Sequence, residues 1–134
     1  MSYKNNASID KIRLFRIGQL SIFTIGLAFA IRATIAPDLQ TDIYNYLDLA
    51  NSATMVGEAL GLTFAGFAFT LLFGSALIDW VGIKIMLLFS ALSYLLGSGL
   101  ILAASLMPVT PMVSSLVLAG LLLTGLGWGA VEAA

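Results

Sequence analysis

Apolar residues run almost unbroken along this chain, and a few charged positions divide them into lengths typical of helices. Fifteen uncharged residues separate Arg16 from Arg32, and apolar character resumes through Ile35 and Ala36. Twenty separate Glu58 from Asp79, and 47 separate Lys84 from Glu132, interrupted by Pro108 and Pro111. A helix rises about 1.5 Å per residue, so roughly 20 apolar residues cross a hydrocarbon core of about 30 Å. The pattern predicts four membrane helices, at 15–36, 54–79, 84–107 and 112–134, after an N-terminal segment at 1–14. The runs are continuous in Leu, Ile, Phe and Ala rather than alternating, which argues against a β-barrel. The expected fold class is an all-α membrane protein.

Composition agrees with the pattern. The 134 residues are 60% hydrophobic and 10% charged, whereas a soluble domain carries about 25% charged residues. A net charge of −1 without a basic block excludes nucleic acid as a partner. With no Cys and no His there are no disulfides, thiol chemistry or usual zinc ligands, and no cofactor is expected. No nucleophile–base pair or phosphate-binding glycine loop is present, so the chain does not read as an enzyme. The partners expected are the lipid bilayer and a small solute. The first run has an alternative reading as a signal peptide, with Lys11, Arg13 and Arg16 ahead of it and Ala28-Phe29-Ala30 resembling a cleavage site. Apolar residues continue past that point, which favours a retained helix.

Charge placement orients the helices. Lys4, Lys11, Arg13 and Arg16 precede the first, so the N-terminus is expected in the cytoplasm. The next loop holds Asp38, Asp42 and Asp48 without Lys or Arg, as an outside loop should. Lys84 returns the chain inside, and the uncharged Met107-Pro108-Val109-Thr110-Pro111 loop lies outside. The protein is expected in the cytoplasmic (inner) or plasma membrane. Within the outer loop, Leu39, Ile43, Tyr46 and Leu47 recur at helical spacing, predicting a short amphipathic piece at the surface. Asn51 and Ser52 are expected to cap the second helix. The Asn6-Ala7-Ser8 glycosylation pattern falls on the cytoplasmic side and is read as chance.

Close helix contact in lipid depends on small residues and hydrogen bonds. Gly57, Gly61 and Ala65 form one stripe of the second helix, and Gly66, Thr70 and Gly74 its neighbour. Ser93 and Gly97 on the third helix and Gly125, Gly129 and Ala133 on the fourth are further candidates. Such faces serve either tight packing or sliding in a conformational cycle.

Ionisable residues inside spans are costly and mark candidate sites. Arg32 and Glu58 fall at similar depths, roughly 6–8 Å below the outer surface, where they can pair or snorkel separately. Glu132 follows the run Gly125-Leu126-Gly127-Trp128-Gly129. A carboxylate beside a glycine-rich, aromatic-bearing turn suits a sugar or a proton, with Trp128 as a stacking surface. The alternatives are a solvated helix end for Glu132 and an interfacial anchor for Trp128.

The stretch Ser75-x-Leu77-x-Asp79-x-x-Gly82-x-Lys84-x-x-Leu87 resembles the signature loop between helices 2 and 3 of the major facilitator superfamily. In family form that loop reads G-x-L-a-D-r-x-G-r-k-x-x-l. Ser75 stands for the first Gly, and Trp80 and Ile83 for basic residues. The resemblance implies that Asp79, Gly82 and Lys84 belong to a conformational latch on the cytoplasmic side. Gly125-x-Gly127-x-Gly129-x-x-Glu132 looks like helix 4 of the fucose–proton symporter branch, which implies sugar and proton handling at Glu132. That branch places an Asp four residues before the helix 1 Pro; here the position is Ala33, with Arg32 next to it, so another coupling scheme or plain facilitation stays open. Arg32 stands with Glu132 and Trp128 as a candidate substrate or proton residue. The implied protein is a secondary active transporter working by alternating access. This chain would be helices 1–4 of its twelve, and the remaining helices are expected partners. The competing expectation is a four-helix scaffold or assembly subunit without transport.

Overall fold

In a computed structural model, residues 11–134 are described, and all their regular structure is helical. Lys4 and the Asn6-Ala7-Ser8 pattern lie outside them. The order is α1 (Lys11–Leu39), a π-helical turn (Gln40–Tyr44), α2 (Asn45–Leu47), α3 (Ser52–Val81), α4 (Ile83–Ser105) and α5 (Pro111–Ala133). The chain divides into two compact units at Ile35 and Ala36, a boundary that falls within α1.

The first unit is the long arm of α1. The helix begins at Lys11, so residues 11–14, expected in the leading segment, are helical. The helix also runs through Pro37 to Leu39, beyond the end expected at residue 36. Proline lacks a backbone donor and disfavours helix for the residue before it, but here the irregularity is taken up later, as the π-helical turn.

The second unit is built on α5. It packs along both α3 and α4, whereas α3 and α4 touch each other little. Burial reflects that order: 56% of the apolar window of α5 is buried, against 22% for α3 and for α4. These three helices, of 30, 23 and 23 residues, are long and apolar enough to cross a membrane. The chain is a multi-pass membrane protein by that measure, with apolar helices suited to a lipid bilayer.

The distribution of side chains has the same cause. Phe69, Leu72, Leu88, Leu95 and Leu102 point outward, while Thr63, Thr70, Ser90, Ser93 and Thr124 are buried. In lipid, large apolar groups gain nothing by facing inward, so small residues and hydroxyls hold the seams. Glycines set the spacing on two faces of α5. A Cβ on Gly125 would run into the backbone of Thr63, and one on Gly129 into the Phe67 carbonyl, both on α3. On the other face, a Cβ on Gly120 would come within 2.7 Å of the Gly97 carbonyl oxygen of α4, and one on Gly127 within 2.9 Å of the Ser90 carbonyl oxygen. Of the two stripes on α3, only Gly66–Thr70–Gly74 is buried. Around Gly57 and Gly61 there is open space among the described residues.

Helix ends follow local chemistry. Asn51 is the N-cap of α3, but its side chain does not accept from the helix as expected. Instead its amide donates to Asp48 Oδ2 at 2.7 Å, while Asp48 Oδ1 accepts from the backbone N–H groups of Ala50 and Asn51. Those bonds, the Asn51 side chain first, hold the Asp48 carboxyl below its usual value of 3.8. An acid with a depressed pKa stabilises the fold above its unfolded value, and the contribution disappears as pH falls through the folded one. The stability gap between wild type and Asp48→Ala should therefore close on acidification below about pH 4, read as converging melting midpoints in detergent.

Gly82 alone separates α3 from α4, at φ 84° and ψ 148°. Its N–H donates to the Ile78 carbonyl at 2.8 Å, and its carbonyl accepts from Ile85 at 3.2 Å. Side chains other than hydrogen are strained there, so Gly82→Ala should cost about 1–3 kcal/mol, measurable as a lowered unfolding midpoint. At the other end of α4, Pro111 opens α5 at its first position behind an extended Thr110, where a missing N–H costs nothing.

Candidate functional site

Two of the residues singled out at the end of α5 lie together. Trp128 Nε1 donates to Glu132 Oε1 at 3.3 Å, one helical turn along. Trp128 is 3% exposed, with its ring against Phe67 at 4.4 Å between centroids and tilted toward Phe64 at 6.2 Å. Its indole is therefore occupied by α3 and serves to hold that helix while its N–H orients the carboxylate. Glu132 itself is exposed. Any ring stacking on Trp128 would have to displace Phe67 from it.

Glycine spacing explains why Trp128 sits so deep. Gly125 and Gly129 bring α3 against this side of α5, and Gly127 faces α4, where the Ser90 hydroxyl donates to its carbonyl at 2.7 Å. Ser90 was not among the expected contact residues. Its signal is its place in the series Ser90, Ser93, Gly97, which lines one face of α4 at spacings of three and four.

Asp79, Gly82 and Lys84 form a second centre at the α3–α4 corner. They line one open cavity of about 630 Å³ together with Ile78, Val81, Ile83 and Ile85, and both charged residues are exposed. Behind it, where α3 and α4 splay, lies a wholly apolar groove of about 370 Å³ lined by Phe73, Leu77 and Phe89 among others.

Arg32 and Glu58 fall in different units of the chain. Arg32 is half-buried and Glu58 is exposed on α3.

A residue missed from sequence lies beyond them. The expected inward set Leu39, Ile43, Tyr46, Leu47 is replaced by Leu39, Ile43, Tyr44 and Leu47, with Tyr46 76% exposed and Tyr44 1% exposed. A π-helical turn takes one more residue per turn than an α-helix and so rotates the following side chains. Burial is the main reason the Tyr44 phenol is harder to ionise than usual, and the negative charge of Glu58 adds to it. The Ser114 hydroxyl acts the other way, being near Tyr44 Oη without a hydrogen bond of acceptable geometry.

Comparison with family models, with characterised proteins and with solved structures finds no match for this chain. Among the described residues no group of three or more acidic side chains is placed to hold a metal ion.

Proposed function

We propose that this chain supplies helices 1–4 of a secondary transporter of the major facilitator type. The transporter moves a small polar solute, with a sugar as the leading class and protons as the candidate coupling ion, by alternating access. The N-terminus lies in the cytoplasm, the membrane is the inner or plasma membrane, and α1 is the first of four spans, ahead of α3, α4 and α5. The observation that carries the reading is the α3–α4 corner, where Asp79 and Lys84 stand exposed around a glycine-only turn between two membrane-length helices. Asp79 sits at the negative end of the α3 dipole, an unfavourable place for a carboxylate. A donor from the other helical half, closing on that corner, gives the charge a purpose as a latch. Glu132 is the candidate proton or sugar contact and Trp128 its support.

Uptake of labelled sugars by the full-length protein in proteoliposomes, with and without a proton gradient, is the test. Gradient-driven accumulation that Asp79→Asn slows supports the reading. No uptake of any solute under either condition removes it.

The second reading is a scaffold subunit without transport. The open Gly57–Gly61 face favours it, since such a face accepts another helix closely. Copurification of a stoichiometric membrane partner, without uptake, would favour this reading over the first.

A further inference from the structure

Tyr44 is buried by its ring and left unsatisfied at its hydroxyl. Tyr44 belongs to the buried cluster of Leu39, Val56, Ala59, Val113 and Val117, and its turn touches both α3 and α5. Its Oη has no hydrogen-bond partner, and neither does the buried Oδ1 of the adjacent Asn45. Ring burial holds the side chain in, while the unpaired oxygens, which water would satisfy, push it out. Both oxygens lie at one end of the π-helical turn Gln40–Tyr44, a geometry that is rare and concentrated at functional positions. Beyond its apolar contacts, the turn is tied to α3 by Gln40 Nε2 donating to Ser52 Oγ at 3.3 Å, a long bond that is readily exchanged for water.

We propose that residues 36–47 form a strap and that Tyr44 is its plug, gating the end of the α3–α5 seam that faces outside in the topology above. Lifting the strap exposes the Tyr44 ring and Leu39 together with the partly buried Ile43 and Leu47, but it returns two unsatisfied oxygens to water, so the open state is the minor one and the buried hydroxyl raises its population. With the plug withdrawn, the slot between Val56 of α3 and Ser114 of α5 is open to solvent. The strap and the seam belong to one compact unit, and the proposal does not depend on transport.

The sequence has no cysteine, so a single introduced thiol reports on the slot without background. Val56 is 8% exposed on the seam, and Ala53, one turn before it, is exposed. In the detergent-solubilised full chain, Val56→Cys should react with a water-soluble maleimide more slowly than Ala53→Cys. Adding Tyr44→Phe removes the unsatisfied hydroxyl but keeps the ring, and should slow labelling a further 5- to 150-fold, roughly. Adding Tyr44→Ala removes the plug and should speed labelling on the order of 100-fold, or to the Ala53→Cys rate. The proposal is overturned if Tyr44→Phe leaves labelling unchanged or faster, or if Val56→Cys already reacts at the Ala53→Cys rate. Should Val56→Cys not fold, Ser114→Cys reports from the other wall, where the native residue is 8% exposed. Should Tyr44→Ala not fold, the sign of the Tyr44→Phe effect decides alone.

Discussion

Gly125→Ala should destabilise the helix bundle by about 3 kcal/mol or more, whereas Gly61→Ala should be neutral or stabilising by up to about 1 kcal/mol. Both are glycines in the middle of a membrane-length helix, and both belong to a stripe of small residues spaced four apart. What separates them is the obstacle. A methyl group on Gly125 meets the backbone of Thr63, which cannot rotate away, while one on Gly61 meets nothing among the described residues. To admit it, α3 and α5 must separate along their shared seam, losing contacts at Gly66, Phe67 and Gly129 together. Alanine's better helix propensity, worth about 1 kcal/mol at most, is too small to offset that. Equilibrium unfolding in mixed micelles measures both. A Gly125→Ala protein as stable as wild type would show that the seam is not held by backbone approach.

Trp128→Ala should cost about 3–5 kcal/mol, the range for removing a large buried aromatic. It empties the space against Phe67 and Phe64 and takes the donor from Glu132. Trp128→Phe keeps a six-membered aromatic ring but loses the pyrrole half of the indole with its N–H, so its expected cost is about 1–3 kcal/mol. Glu132→Gln keeps an oxygen for Trp128 to bond and lies exposed, so stability should stay within about 0.5 kcal/mol of wild type. On the transport reading proposed above, that same substitution in the full-length protein should abolish proton-driven accumulation. The three variants thus separate support from function. If Glu132→Gln unfolds the protein while Trp128→Ala does not, the roles assigned to the two residues are reversed.

Much of this protein is written in its charge spacing. Uncharged runs of membrane length locate α3, α4 and α5 to within two residues at each end, because neither the proline loop nor the Asp79–Lys84 gap can continue a buried helix. The glycine pattern announces that α5 is a packing helix, and Trp128 and Glu132, one turn apart, had to share a face. The pairing of Gly82 with a positive φ is equally local, since one residue reverses the chain there.

Other features were decided only by tertiary contact. Two stripes on α3 look alike in sequence, yet one is buried and the other open, because a helix with small residues on several sides does not say where its neighbours stand. Trp128 looks from sequence like a surface for a ligand, but the close approach that Gly125 and Gly129 allow brings Phe67 onto its ring. Tyr44 rather than Tyr46 enters the core because a π-helical turn shifts the phase by one residue. Sequence periodicity assumes a constant turn, whereas packing selects the turn that seats a ring in the gap between α3 and α5. The amino-acid sequence by itself thus determined the solvent and the ends of α3, α4 and α5, since these depend on the cost of placing charge in hydrocarbon. Which faces meet, and which side chain closes the seam, came from the fit between helices, which no single helix contains.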